Sequence, residues 1–171
     1  NPSVTFTSDT GATFLCSLDG SADAPCTSPL SIGPLTDGSH TFSVKATDAA
    51  TNVSPAASFT WTVDTTAPGA PTITSGPSNP STTATPAFAF TGDSGSTFLC
   101  AIDSDPFVGC SSPYTSAAIG GGIHTFHLKQ VDAAANTSVA TDFGPWLTDF
   151  LAPNAPTITS GPASTTVLSS A

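Results

Sequence analysis

The feature that most constrains the fold is an internal repeat. Thr13-Phe14-Leu15-Cys16 returns as Thr97-Phe98-Leu99-Cys100, 84 positions later, His40-Thr41-Phe42 returns as His124-Thr125-Phe126 at the same distance, and Cys26 returns as Cys110. The segment Ala70-Pro71-Thr72-Ile73-Thr74-Ser75-Gly76-Pro77 returns as Ala155-Pro156-Thr157-Ile158-Thr159-Ser160-Gly161-Pro162 at a distance of 85. One residue has entered between these matches, and Gly144-Pro145 is where a β-bulge would take it up. Such a period predicts two tandem units of about 85 residues, each near the small end of what folds alone.

Each unit reads as β. In Thr41 to Ala46, the residues Phe42, Val44 and Ala46 fall on one face and Thr41, Ser43 and Lys45 on the other. Phe59, Trp61 and Val63 alternate with Ser58, Thr60 and Thr62, and Phe14, Cys16 and Leu18 follow the same period of two. Gly and Pro interrupt almost every helical window, and Asp132-Ala133-Ala134-Ala135-Asn136, like Asp48-Ala49-Ala50-Thr51-Asn52, reads as a turn between strands. Short strands divided by turn residues predict an all-β chain of two tandem immunoglobulin-like sandwiches. The expected cores are Phe6, Phe14, Phe42, Phe59 and Trp61 in the first, and Phe90, Phe98, Phe126, Phe143 and Trp146 in the second.

The succession TFLCSLDG, PCTSP, DGSHTFSVKATDAATN and FTWTVDTTAP resembles the bacterial immunoglobulin-like repeats of long surface and secreted proteins, over nearly the whole chain. The resemblance implies a sandwich fold and a role as stalk, spacer or filament subunit. The chain departs from the family pattern at one turn, where a Gly usually precedes the Asn and Thr51 or Ala135 stands here.

Composition excludes several functions. All twelve acidic residues are Asp, the only cations are Lys45 and Lys129, and the formal net charge is −10. Phosphate neutralisation needs clustered Lys and Arg, so nucleic acid is not the expected partner. Roughly three residues in ten are Ser or Thr, yet the alternating apolar residues distinguish the chain from a disordered stalk. No apolar run reaches the roughly 18 residues of a membrane span. Asn1 opens without a signal peptide, as expected of a processed chain or a fragment.

Cys16 and Cys26 lie ten positions apart, a spacing repeated by Cys100 and Cys110, and the simplest reading is one disulfide per unit. A loop that short stabilises by about 3 kcal/mol in the chain-entropy model. Zinc would need closer Cys or Cys–His spacing. Disulfides place the chain outside the cytosol, in an extracellular or cell-surface setting.

The remaining ligand candidates are oxygen donors. Asp48, Asn52, Asp64, Asp132, Asn136 and Asp149 are candidate calcium ligands, since calcium prefers such groups and stiffens linkers between extracellular modules. The competing reading is turn capping by Asp and Asn, favoured by the absence of an EF-hand spacing. No other cofactor is indicated. Gly92-Asp93-Ser94-Gly95 spells the string around a serine-protease nucleophile, but its repeat partner Ser8-Asp9-Thr10-Gly11 reads as a turn and no Ala-His-Cys motif accompanies it. His40 and His124 open equivalent strands and His127 faces outward, so an enzyme is not expected. Exposed Ser and Thr are candidate O-glycan acceptors, and Asn136-Thr137-Ser138 and Asn52-Val53-Ser54 form N-glycosylation triplets.

The two ends of the sequence complement each other. Aligned on the repeat, Pro2 falls on Pro86 and Phe6 on Phe90, so the first unit begins at its second strand. The expected organisation is residues 1–66 as a first sandwich without its initial strand, 67–151 as a complete second sandwich, and 152–171 as a donor-type strand. Pro156, Thr157, Ile158, Thr159, Val167 and Leu168 carry the alternation of such a strand. Insertion into the next copy gives a head-to-tail homopolymer and so a filament. The alternative is a stalk or ligand-binding segment of a large tandem surface adhesin, gripping a surface glycan or host receptor through loop aromatics, for which Phe107 and Tyr114 are the loose candidates.

Overall fold

The computed structural model describes residues 2–161. The regular structure there consists of thirteen β-strands, and among the described residues there is no helix. The first unit contains β1 (Ser3–Val4), β2 (Thr13–Leu18), β3 (Ala24–Cys26), β4 (Leu30–Ser31), β5 (Gly38–Thr47) and β6 (Ala57–Val63). The second contains β7 (Thr72–Ser75), β8 (Ala87–Thr91), β9 (Thr97–Ile102), β10 (Val108–Cys110), β11 (Tyr114–Thr115), β12 (Gly122–Val131) and β13 (Thr141–Thr148).

Each unit has a four-stranded antiparallel sheet, ordered β3-β2-β5-β6 in the first and β10-β9-β12-β13 in the second. The opposing sheets differ. The second unit has three strands, β11-β8-β7, whereas the first has two, β1-β4. By the repeat, β1 matches the start of β8 and β4 matches β11. Among the described residues, β7 has no counterpart in the first unit.

Alternation of apolar residues explains which faces meet. Phe88, Phe90, Cys100, Ile102, Phe126, Leu128 and Trp146 form the buried cluster of the second sandwich, with Phe98 and Phe143 packed partly buried against it. The first sandwich buries only Cys16, Ile32 and Phe42 to the same degree, and Val4, Phe6, Leu18, Val44 and Trp61 stay half-buried. Phe14 is also half-buried, its ring centroid 5.0 Å from that of Phe6. Phe59 departs from the expected core, because 61% of its surface is exposed. It sits on the inward alternation of β6 and stacks on Trp61, but the described residues leave most of it uncovered.

The extra residue of the second unit lies where the repeat places it. His124 pairs with Trp146 and Phe126 with Phe143, so one residue of β12 faces two of β13. Gly144 makes this bulge with φ of 115°, and a Cβ there would meet the His124 carbonyl oxygen at 2.9 Å. Both disulfides are formed, Cys16 with Cys26 and Cys100 with Cys110, each tying the outer strand of a four-stranded sheet to its neighbour.

Candidate functional site: the edge that receives a leading strand

The second sandwich shows how a leading strand is seated. β7 runs antiparallel to β8, with Thr72 opposite Thr91, Ile73 opposite Phe90 and Ser75 opposite Ala89. The approach to β7 is fixed by side chains of the opposite sheet. Gln130 Nε2 donates to the Gly69 carbonyl at 2.7 Å and to the Asp93 carboxylate at 2.9 Å, while its Oε1 accepts from the Asp93 amide. Thr141 Oγ1 donates to the Pro71 carbonyl at 2.6 Å. Beyond β7, Asn79 Oδ1 accepts from the Leu147 amide, and Ser81 bridges in parallel to Thr148. The leading segment thus crosses from the β8 edge to the β13 edge and closes one side of the sandwich.

Gly76 carries the tightest contact of this seat. A Cβ built on it would fall 2.6 Å from Phe143 Cζ, so the Phe143 ring lies directly against the glycine. With that cover in place, Phe88 and Phe126 stack at 4.0 Å and neither is exposed.

In the first sandwich no described strand pairs with the matching edge. Thr5, Phe6 and Thr7 match Ala89, Phe90 and Thr91 but lie outside β1, which ends at Val4. The Phe6 amide donates to Ser28 Oγ at 3.0 Å, as the Phe90 amide does to Ser112 Oγ. Two of the residues that hold the leading segment of the second unit have been replaced. Gln130 corresponds to Ala46 and Thr141 to Ala57.

The segment that repeats β7 lies at the other end of the chain. Residues 156–159 belong to no strand and are exposed, Ile158 at 88%. Gly161, the repeat of Gly76, has nothing within 4 Å of a Cβ built on it. Val167 and Leu168 lie outside the described residues.

The candidate calcium ligands are engaged in turns. Asp48 Oδ1 accepts the amides of Ala50 and Asn52, and Oδ2 accepts Asn52 Nδ2. The Asn52 side chain leads the interactions that hold Asp48 below the usual carboxylate range. Asp132 repeats the arrangement with Ala134 and Asn136. Burial pushes its carboxyl up, but the Asn136 side chain and the turn amides prevail and hold it low. Asp64 and Asp149 accept the amides of Thr66 and Leu151. Among the described residues no three His, Cys, Asp or Glu converge on one point. Asn136 also donates to the Asp64 carbonyl at 3.1 Å, so this turn touches the end of β6.

The three histidines each meet an aspartate: His40 with Asp19 at 2.8 Å, His124 with Asp103 at 2.7 Å and His127 with Asp142 at 2.6 Å. The second ring nitrogens of His40 and His124 face the carbonyls of Thr36 and Gly120, so both rings brace turns. Asp93-Ser94 lies in the turn between β8 and β9, held by Gln130. The aromatic loop candidates are also accounted for. Lys129 Nζ lies 4.5 Å from the centre of the Phe107 ring, and Tyr114 stacks on Phe126 at 5.8 Å.

Gln130 is the functional residue that sequence reading missed. It is the only Gln in the chain, and it continues the inward alternation of Phe126 and Leu128, where a polar side chain signals a buried anchor.

No protein-family profile and no curated protein matches the sequence. Among solved structures, the chain is similar to Clostridium thermocellum CbhA fibronectin(III)-like modules, with a TM-score of 0.52 and 16% identity over 91% of this chain and 89% of that one. At this identity the likeness is one of fold, a β-sandwich of the immunoglobulin-like class.

Proposed function

We propose that the chain is a structural, non-enzymatic unit of an extracellular bacterial filament, in which the open edge of each first sandwich is completed by a strand from a neighbouring copy. One observation carries this reading: the segment that follows the second sandwich repeats that sandwich's own leading strand, Ala155–Pro162 matching Ala70–Pro77 residue for residue. β7 covers the second sandwich, and residues 156–161, which repeat the β7 segment, are exposed and belong to no strand among the described residues, so they suit a sheet edge of another unit. An uncovered sheet edge beside half-buried aromatics is a template for strand addition. Donor and acceptor are different surfaces, so the contact is heterologous and propagates into a filament where its rotation does not close a ring. The disulfides suit an oxidising extracellular setting.

The test is removal of residues 152–171, followed by sedimentation velocity and negative-stain microscopy. Loss of concentration-dependent assembly is expected, and fibres of unchanged length would overturn the proposal. The internal repeat favours a second reading, a stalk of many such units in one long surface polypeptide. That reading predicts an intact protein many times heavier than 16.9 kDa on a denaturing gel.

A further inference from the structure

We infer that residues 64–71, between the two sandwiches, form a rigid joint clamped by Asp37 from the first unit and Asn136 from the second, so that the two sandwiches reorient together. The joint does not depend on strand complementation and belongs to a filament subunit and a stalk alike.

A linker bends where consecutive residues are free to change φ and ψ. Here both units hold the backbone. The Asp37 carboxylate accepts the Thr65 amide at 2.8 Å, the Thr65 hydroxyl at 2.7 Å and the Thr66 hydroxyl. From the second unit, Asn136 Nδ2 donates to the Asp64 carbonyl at 3.1 Å, Gln130 Nε2 to the Gly69 carbonyl at 2.7 Å and Thr141 Oγ1 to the Pro71 carbonyl at 2.6 Å. The two sets of attachments overlap in sequence, because Asn136 reaches back past the residues that Asp37 holds, to the residue that follows β6. Between the attachments stand Ala67, Pro68 and Ala70. Proline fixes its own φ, and Ala67 and Ala70 each precede a proline, which confines them to extended conformations. Exposed hydrogen bonds are individually weak, but bending at Ala67 to Gly69 requires those of Asn136 and Asp37 to break together.

The anchors belong to this joint and not to the fold. At the equivalent positions of the repeat, Asp37 becomes Gly121, Thr65-Thr66 becomes Phe150-Leu151, Gln130 becomes Ala46 and Thr141 becomes Ala57. Each sandwich therefore forms without the side chains that the other one turns toward the linker. Their contacts account for them instead. The bonds from Thr65, its hydroxyl foremost, and from the Thr66 hydroxyl hold the Asp37 carboxyl below the usual carboxylate range.

The experiment is double electron–electron resonance on the full chain. Spin labels carried by acetylphenylalanine replace the exposed strand residues Thr60 and Thr97, one in each sandwich, and the labelled chain is diluted into excess unlabelled chain so that only distances within one molecule are read. The wild type is expected to give one narrow distance peak, and the double variant Asp37→Ala, Asn136→Ala to lose it to a broad distribution. Asp37→Ala alone breaks bonds to the linker only and should broaden the peak partway; it carries the test if the double variant does not fold. Asn52→Ala is the control, because it removes the matching side-chain bond to Asp48 in the first unit's turn, at the far end of β5 and β6 from the linker, and should leave the peak narrow. A broad wild-type distribution would overturn the rigid joint. A narrow peak that survives loss of the Asp37 and Asn136 side chains would overturn their role as clamps, and so would a broad one in Asn52→Ala, which would trace the motion to a loosened sandwich.

Discussion

His124 Nδ1 lies 2.7 Å from the Asp103 carboxylate while its Nε2 faces the Gly120 carbonyl at 3.1 Å, so both ring nitrogens meet acceptors and the imidazolium is the form that satisfies them. The Asp103 hydrogen bond, aided by the Gly120 carbonyl, raises the pKa of His124 against the opposing effect of burial. His40 is raised in the same way by Asp19 and then by the Thr36 carbonyl. Burial works to raise Asp103, but the hydrogen bonds from His124 and Thr125 outweigh it and hold the carboxyl low. A raised histidine contributes stability fully below its unfolded pKa of about 6.5, and that contribution is lost as pH climbs through the folded value. The lowered aspartates contribute above about 3.9 and lose their effect as pH falls. Thermal melts across pH 4 to 9 are therefore expected to peak on the mildly acidic side and decline above about 6.5. The double variant His40→Gln, His124→Gln should flatten the alkaline limb.

Thr51 and Ala135 occupy equivalent turn positions in the two units, and both have positive φ, 70° and 69°. A left-handed backbone costs an L-residue about 1 to 2 kcal/mol, partly offset by the greater freedom of Gly in the unfolded chain. Thr51→Gly is expected to stabilise by about 0.5 to 1 kcal/mol in urea unfolding, and Ala135→Gly by somewhat less, because Ala lacks the β-branch. An unchanged or lowered midpoint would show that the turn bears no such strain.

Gln130 joins three segments through one amide. Gln130→Ala removes the partner of the Gly69 carbonyl and of both Asp93 groups, and should cost about 2 kcal/mol or more. Chemical unfolding measures this directly. The reverse change in the first sandwich, Ala46→Gln, adds an amide that meets no leading segment among the described residues, and no gain is expected in a chain of residues 1–171.

The two repeat-equivalent phenylalanines should respond differently. Phe143→Ala removes a ring packed against Gly76, Phe88 and Trp146 and should destabilise by about 2 to 4 kcal/mol. Phe59→Ala, at a largely exposed ring, should lie within about 0.5 kcal/mol of wild type when the chain is dilute. Comparable losses at both sites would mean that the first sandwich is already covered.

Much of this molecule was legible in the amino-acid order, because the signals are local or repetitive. Period-two alternation gives strand faces without knowledge of partners, as at Phe42 and Val44. Ten-residue spacing joins Cys16 to Cys26 because so short a loop leaves few other choices. The doubling of Thr13-Phe14-Leu15-Cys16 divides the chain into two sandwiches, and the single residue separating offsets of 84 and 85 marks the Gly144 bulge. The reading failed where burial depends on a distant element. Phe59 and Phe143 have the same local pattern, and only the presence of β7 beside one of them makes that ring part of a core. Gln130 likewise looks like an exception to its strand until Gly69 and Asp93, 61 and 37 positions away in sequence, are brought to its amide. Local chemistry therefore set the strands, turns and crosslinks. Tertiary contact alone decided which seat is filled, since an edge is closed or open according to what lies next to it in space.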